Sequence, residues 1–464
     1  MADASRVRTI GPSGYFVLSF GTIVGSGWVL VMGDWLTAAG PVGTVLAFLS
    51  GGLVMLGIAG CYAELSCRFP RAGGEYVFAA ETLGPAAGVL VGWFMLLFLV
   101  AIAAFEGIAL SLLVQLLLPG LAGPRLWTLL GHDVHLGALL VGLAGIGTMA
   151  AINWRGLALS MRFQQVGTWG FIAASLLIIL LGLLFGTPGN LQPPFGPEPS
   201  SASVLAGIGW VFGLSAMFLT GFAAAIHAVE DRKESVHVHS VVRAMLLGLG
   251  AAICFYVALT LSVASVAPWP ETARLPIPAA DAFLQLPAGG VVRAFILTAA
   301  ILSLLKTWNA VLLIVGRLAV AQAQGGLLPA WFGELHPRFL SPHRVVAVVS
   351  LISALVLLAG RGAILPIVNM CALSVALIFV VMVRALWVAR GVQHGPAPAF
   401  RLPGGRSMLV LIGLGSAAQC IILLLAPWQG AVGVPLEISL LALWTLLGLL
   451  AARRHAARLS RSPA

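Results

Sequence analysis

The sequence predicts an all-α membrane protein with twelve transmembrane helices. Three features point there: 60% of the 464 residues are hydrophobic, only 9% are charged, and the mean hydropathy is +1.04. A soluble domain carries charge on about a quarter of its residues. A hydrocarbon core takes about 20 apolar residues per helix, so the length has room for roughly ten to fourteen spans. No ten-residue alternation of the kind a barrel needs is present. The 55 Gly and 26 Pro fit this class, because neighbouring helices in a membrane re-satisfy backbone groups that these residues free.

Apolar runs between polar or proline-marked breaks place spans at about 14–39, 41–65, 84–117, 136–153, 165–186, 204–228, 241–266, 289–321, 344–360, 364–390, 407–427 and 432–452. With both termini cytoplasmic, twenty of the 25 Lys and Arg fall on the inside, from Arg6 and Arg8 to Arg458 and Arg461. Arg125, Arg274, Arg293 and Arg361 fall outside, and Lys306 lies within a span. The positive-inside rule orients the chain accordingly, in the cytoplasmic membrane. The net charge of +10 is then a record of insertion beside anionic lipid, and no nucleic-acid partner is expected. No removable signal peptide is read at the N-terminus.

Two places are poor continuous helix: Gly25-Ser26-Gly27 in the first span and Thr220-Gly221-Phe222 in the sixth. Close helix packing explains one glycine cluster well. Two clusters five spans apart cross the membrane in opposite directions, as inverted repeats require. The division that follows is a cytoplasmic N-terminus (1–13), a first five-helix repeat (14–186), an external loop (187–203) and a second, inverted repeat (204–390). A cytoplasmic loop (391–406), two accessory helices (407–452) and a basic cytoplasmic tail (453–464) complete it. Interrupted helices meeting near the midplane expose N–H groups at one end and C=O groups at the other, which suits a zwitterion.

Cys61, Cys67, Cys254, Cys371 and Cys420 lie in or beside apolar runs without CxxC spacing and are expected as buried thiols. His237 and His239 have no third ligand nearby, so no metal is expected. No GxSxG, HExxH, P-loop or GxGxxG segment is present, which argues against an enzyme, a cofactor and ATP-driven transport.

The stretch Phe20-Gly21-Thr22-Ile23-Val24-Gly25-Ser26-Gly27-Trp28 resembles the first-span motif of the amino acid, polyamine and organocation (APC) transporter superfamily. Tyr62-Ala63-Glu64-Leu65 with Phe69-Pro70-Arg71-Ala72-Gly73-Gly74-Glu75-Tyr76 resembles its loop between spans two and three. Gly316-Arg317, Gly326-Leu327-Leu328-Pro329 and His336-Pro337-Arg338-Phe339 are similar to its loop after span eight. The resemblance implies a leucine-transporter-like 5+5 inverted-repeat core and alternating-access transport of an amino acid or amine. It places a substrate carboxylate at the amides of Gly25, Ser26 and Gly27, and an amino group at carbonyls around Gly221. Phe222 is a candidate gate or pocket wall, or an ordinary core contact; Trp28, Thr220 and Thr307 are further lining candidates. This chain has Ala223 where many relatives carry an acid after Gly-Phe, and Ile226-His227 where Pro-Gln is frequent, so no coupling role is carried over to that acid.

Lys306 lies 17 residues into span eight, about 25 Å along the helix. A bare ammonium there costs several kcal/mol, so it needs a partner or must shed its proton. In sodium-coupled relatives of this fold, span eight supplies hydroxyls to a cation site. Lys306 is therefore expected to put a tethered ammonium there, facing carbonyls near Thr22 and Ile23 and making transport sodium-independent, driven by protons or exchange. A structural ion pair is the plainer alternative. Glu106, in the outer half of span three, is a candidate to contact a substrate ammonium, carry a coupled proton or pair with Lys306. Asp34, about 10 Å beyond Gly27 along its helix, is expected at the mouth as a gate or an interfacial cap. Glu64 is expected to be solvated at the inner end of span two. His227 is readable as a proton relay or as an ordinary hydrogen-bonded residue.

The sequence therefore reads as a secondary transporter of a small amino acid. An organic amine or polyamine carrier and a non-transporting sensor on the same fold remain alternatives.

Overall fold

The computed structural model describes residues 10–71, 73–196, 201–391, 398–428 and 435–459. Arg6 and Arg8, Ala72 of the loop motif, part of the 391–406 loop and Arg461 of the tail lie outside the described residues.

The chain is almost entirely helical. It runs α1 (Pro12–Ile23), α2 (Gly27–Leu30), α3 (Met32–Arg68), α4 (Glu75–Leu83) and α5 (Pro85–Leu117), then strands β1 (Arg125–Leu129) and β2 (His132–His135), then α6 (Leu136–Trp154) and α7 (Leu157–Phe185). There follow α8 (Ser201–Phe218), α9 (Ala224–His227), α10 (Val238–Val266), α11 (Trp269–Thr272), α12 (Pro278–Asp281), α13 (Gly289–Gln324), α14 (His343–Leu357), α15 (Ile364–Gly391), α16 (Gly405–Leu425) and α17 (Leu436–Leu459). Among the described residues, ten helices are long and apolar enough to cross a membrane, and Ser203–Phe218 and His343–Leu357 are shorter apolar helices. The sixth expected span is short as a helix because its regular hydrogen bonding stops after Phe218.

Local chemistry explains the boundaries. Gly40 takes φ 70°, ψ 174° within α3, where Pro41 follows it, so the chain turns between the first and second spans. A Cβ at residue 40 would lie 2.5 Å from the backbone of Phe195, so the turn also depends on close approach. The β1–β2 hairpin closes through Leu130 and Gly131, both at positive φ, and Trp127 Nε1 donates to the carbonyl of Leu358. This hairpin was not expected; it lies in the expected external segment between the spans at 84–117 and 136–153.

Helix α13 is central, with 78% of its most apolar window buried, against 17% for α17 at the periphery. Leu53 and Leu183 on the outer surface are 71% and 74% exposed, as lipid-facing leucines are. Cys61 and Cys371 are buried and Cys67 and Cys420 half-buried, but Cys254 is exposed, which corrects the expectation for that thiol.

The face opposite the hairpin is tied by charge and is called the basic face below. Ile10 N donates to Asp231 O at 3.1 Å, and Arg317 pairs with Asp231 at 2.8 Å. Glu64 is not solvated as expected. Its side chain is wholly buried and accepts from Arg68 at 2.9 Å, Arg390 at 2.5 Å and the Leu402 amide at 3.0 Å, joining α3, α15 and the segment before α16. Three charge-assisted donors offset the desolvation of one carboxylate, and removing it would leave Arg68 and Arg390 with backbone carbonyls in place of their ion-pair partner. Glu64→Ala is expected to cost about 3–5 kcal/mol, read as a lower thermal unfolding midpoint in detergent, with a smaller loss for Glu64→Gln.

Candidate substrate site

Both expected interruptions are present. Helix α1 ends at Ile23 and α2 starts at Gly27, and the amides of Gly25, Ser26 and Gly27 take no backbone acceptor among the described residues. Helix α8 ends at Phe218 and α9 starts at Ala224, with Gly221 at φ 101° between them. Gly221 O accepts from Ala224 N, and among the described residues the carbonyls of Phe218, Leu219 and Thr220 between the two helices have no backbone donor. The two breaks touch. A Cβ at residue 221 would lie 2.9 Å from Thr22 C and 3.0 Å from Ile23 N, and one at residue 27 would lie 2.3 Å from the Phe218 ring.

Helix α13 satisfies the first break. Ser303 Oγ is within hydrogen-bond distance of the carbonyls of Val24 (2.8 Å) and Gly25 (2.9 Å), and Thr307 Oγ1 of those of Gly21 (2.9 Å) and Val24 (3.2 Å). Lys306 Nζ donates to Gly21 O at 2.9 Å and to Val24 O, and lies 4.6 Å from the centre of the Phe171 ring. The ammonium thus meets the carbonyls flanking Thr22 and Ile23, one position either side of those expected. Glu106 is close enough to interact with it electrostatically, but the hydrogen bonds of Nζ go to backbone oxygens. The rotation of α13 is set from its other side. Asn309 Nδ2 donates to Ser160 O and Gln164 Oε1, while Asn153 Nδ2 and Ser160 Oγ donate to Asn309 Oδ1. Ser303, Lys306 and Thr307 share one helix face by their three- and four-residue spacing, so locking Asn309 aims all three at the break.

A cavity of about 620 Å³ runs along both breaks. It reaches the hairpin face at His132, Pro276 and Arg361 and ends on the basic side at Glu75 and His227. Gly25, Ser26, Gly27, Thr220, Gly221, Thr307, Glu106 and Asp34 all border it, with Asp34 exposed towards the hairpin face. Glu106 is buried at the level of Gly25: its Oε1 would lie 3.7 Å from a Cβ there.

The chain matches the family model described as amino acid permease over residues 10–450. It belongs to the amino acid permease family. It is 27% identical over 421 residues to the methylthioribose transporter of Bacillus subtilis, covering 86% of this chain and 85% of that one. It is 25% identical over 483 residues to the branched-chain amino acid permease BcaP of Bacillus subtilis, covering 98% and 95%. Against the amino-acid permease RocE of the same organism it is 25% identical over 363 residues, covering 74% and 72%. The APC resemblance read from the motifs is thereby established, and the chain is a multi-pass membrane permease of a transporter family.

Two expected lining residues of the permease point elsewhere. Trp28 is fully buried against Phe171 and Phe255, and Phe222 against Tyr62 and Phe379, so neither ring borders the cavity. Trp28, in the first turn of α2, and Phe222, within the second break, both turn their rings onto aromatic residues of the neighbouring helices. The rings that do border it are Phe98, Phe105, Phe218, Tyr256 and Phe379, which sequence reasoning missed because an apolar residue in an apolar span carries no mark of the face it takes. Ser303 was findable as a hydroxyl one turn before Lys306 and Thr307.

Glycine tolerance at the break separates space from clash. A Cβ at residue 25 meets Thr307 Cγ2 at an ordinary 3.4 Å, whereas one at 27 enters the Phe218 ring. Gly27→Ala is expected to cost about 1–3 kcal/mol by overpacking and to lower transport by about tenfold or more, with Gly25→Ala closer to the parent, in an uptake assay at matched expression.

Proposed function

We propose that this permease is a secondary active transporter in the cytoplasmic membrane, moving a small amino acid by alternating access, with twelve spans in a 5+5 inverted-repeat core plus two accessory helices and both termini cytoplasmic. The observation that carries this is the contact of two oppositely ended helix breaks, Gly221 against Thr22 and Ile23, on the wall of one cavity. Free amides at Gly25, Ser26 and Gly27 suit a carboxylate, and the open carbonyls of Phe218 and Thr220 suit an ammonium. Phe98, Phe105 and Phe218 favour an apolar side chain. The cavity's reach to His132 and Arg361 gives this conformation an outward opening, with Asp34 as a mouth residue. The similarity to BcaP, a branched-chain amino acid permease, fits such a substrate.

Lys306 occupies the carbonyl ring with its own ammonium, so transport is read as sodium-independent and driven by protons or exchange. Glu106 beside Gly25 favours one second reading, an organic amine carrier in which this carboxylate dominates recognition.

Amino acids at a hundred times Kd are expected to stabilise the purified protein by about 2.7 kcal/mol in a melting-point screen, and carboxylate-free amines not to do so. Stabilisation by amines alone would favour the carrier of organic cations. Wild-type uptake is expected to be equal in sodium and potassium buffers, and Lys306→Ala to lower it by about tenfold or more. Sodium-stimulated uptake that persists in Lys306→Ala would count against the tethered-ammonium reading.

A further inference from the structure

The basic-side end of the cavity is built from a second pair of titratable groups. Glu75, the first residue of α4, and His227, the last of α9, are 2% and 1% exposed, and His227 Nε2 lies 2.7 Å from Glu75 Oε2. Glu75 borders the central cavity. His227 borders that cavity and also a separate one of about 510 Å³ on the basic side, lined by Arg71, Glu81, Asp231 and Arg317. His227 is the residue that borders both cavities. The loop is shaped to close on it: Gly74 sits at φ 48°, and a Cβ there would lie 2.7 Å from His227 Cε1.

Resting on the transport reading above, we propose that Glu75 and His227 form the inner proton-transfer site of the transport cycle, taking a proton from the central cavity and releasing it to the inner one. A proton reaching the Glu75 carboxylate moves along the 2.7 Å contact to the free lone pair of Nε2, leaving carboxylate against imidazolium. When α9 and α4 part, water of the inner cavity takes that proton from Nε2. The ring returns neutral with Nδ1 still protonated, so one proton crosses per cycle and no other bond changes. The tie between a buried acid and base also couples the transfer to gate opening, since the pair that holds the proton is the contact that holds the wall shut.

Other charged and titratable groups around the pair have different partners or positions. Tyr62 of α3 lies beside Glu75. Tyr15 of α1 donates to Ala228 O, and Arg317 of α13 is paired with Asp231. Arg71 is paired with Glu81 across the inner cavity, which Glu230 also borders. Tyr256 of α10, with Glu106 and Asp34, lines the central cavity further towards the hairpin face, and Lys306 is held at the first break.

The test uses proteoliposomes of the full chain with a lumenal pH dye and a radiolabelled mixture of the twenty protein amino acids. Wild-type protein is expected to show counterflow, accumulation driven by an acid-outside gradient, and substrate-dependent lumenal acidification. His227→Gln and Glu75→Gln preserve a hydrogen-bonding side chain without the titration. They are expected to keep counterflow within about threefold and to lose both proton-linked signals by at least about tenfold. Proton-linked signals at the wild-type level in either folded glutamine variant would overturn the proposal, as would wild-type counterflow without any proton signal. Where a glutamine variant does not fold, the exchanged pair Glu75→His with His227→Glu decides. Proton-driven accumulation by the exchanged pair supports the site, and counterflow without it overturns the site. Wild-type protein without counterflow would overturn the transport reading itself, and this proposal with it.

Discussion

A helix that breaks inside a membrane leaves peptide groups with no water to bond, and every feature of this site follows from how those groups are satisfied. The carbonyls at the end of α1 are met by Ser303, Lys306 and Thr307 from α13. The amides of Gly25, Ser26 and Gly27 and the carbonyls of Phe218 and Thr220, all residues that border the cavity, take no backbone partner among the described residues. One end of the break is thus sealed by the protein, and the other remains available to a solute. The seal is itself supported from behind, because Asn309, bonded to Asn153, Ser160 and Gln164, fixes the face that α13 presents.

Glycine serves this arrangement at two points for distinct reasons. Residue 221 needs both a positive φ and contact with the backbone of Thr22 and Ile23, so only a residue without Cβ closes the two breaks on each other. At residue 74 the same combination brings the loop before α4 against His227. The rest of the wall is aromatic. Phe218 and Tyr256 border the cavity and belong to a cluster with Trp35 and Phe48, in which Trp35 lies 4.8 Å from Phe218 and Phe48 stacks on Tyr256 at 4.8 Å.

The breaks were legible because Gly-Ser-Gly and Thr-Gly-Phe interrupt otherwise continuous apolar runs, and Lys306 because an ammonium at that depth demands partners. Trp28 was misplaced, and of the two readings of Phe222 the core contact is the one seen, because adjacency to a break in sequence does not fix direction: a helix residue turns about 100° from its neighbour, and both rings turn into the packed side. Glu64 was taken for a solvated end residue, since nothing in its own segment shows that Arg390 and Leu402, more than 300 residues away, close over it. His227 looked like a lone histidine for the same reason, its partner Glu75 lying in another part of the chain.

The sequence by itself determined the class of molecule, the approximate run of its helices, the two points where helices fail, and the family to which it belongs. Each of these is a property of composition or local pattern, which survives without knowledge of any contact. Only the tertiary structure decided which carbonyls Lys306 reaches, which rings line the cavity, and that His227 borders two cavities. Those depend on the rotation and depth of each helix against its neighbours, and in a membrane nearly every face of every helix is apolar, so the pattern that would reveal rotation in water is absent.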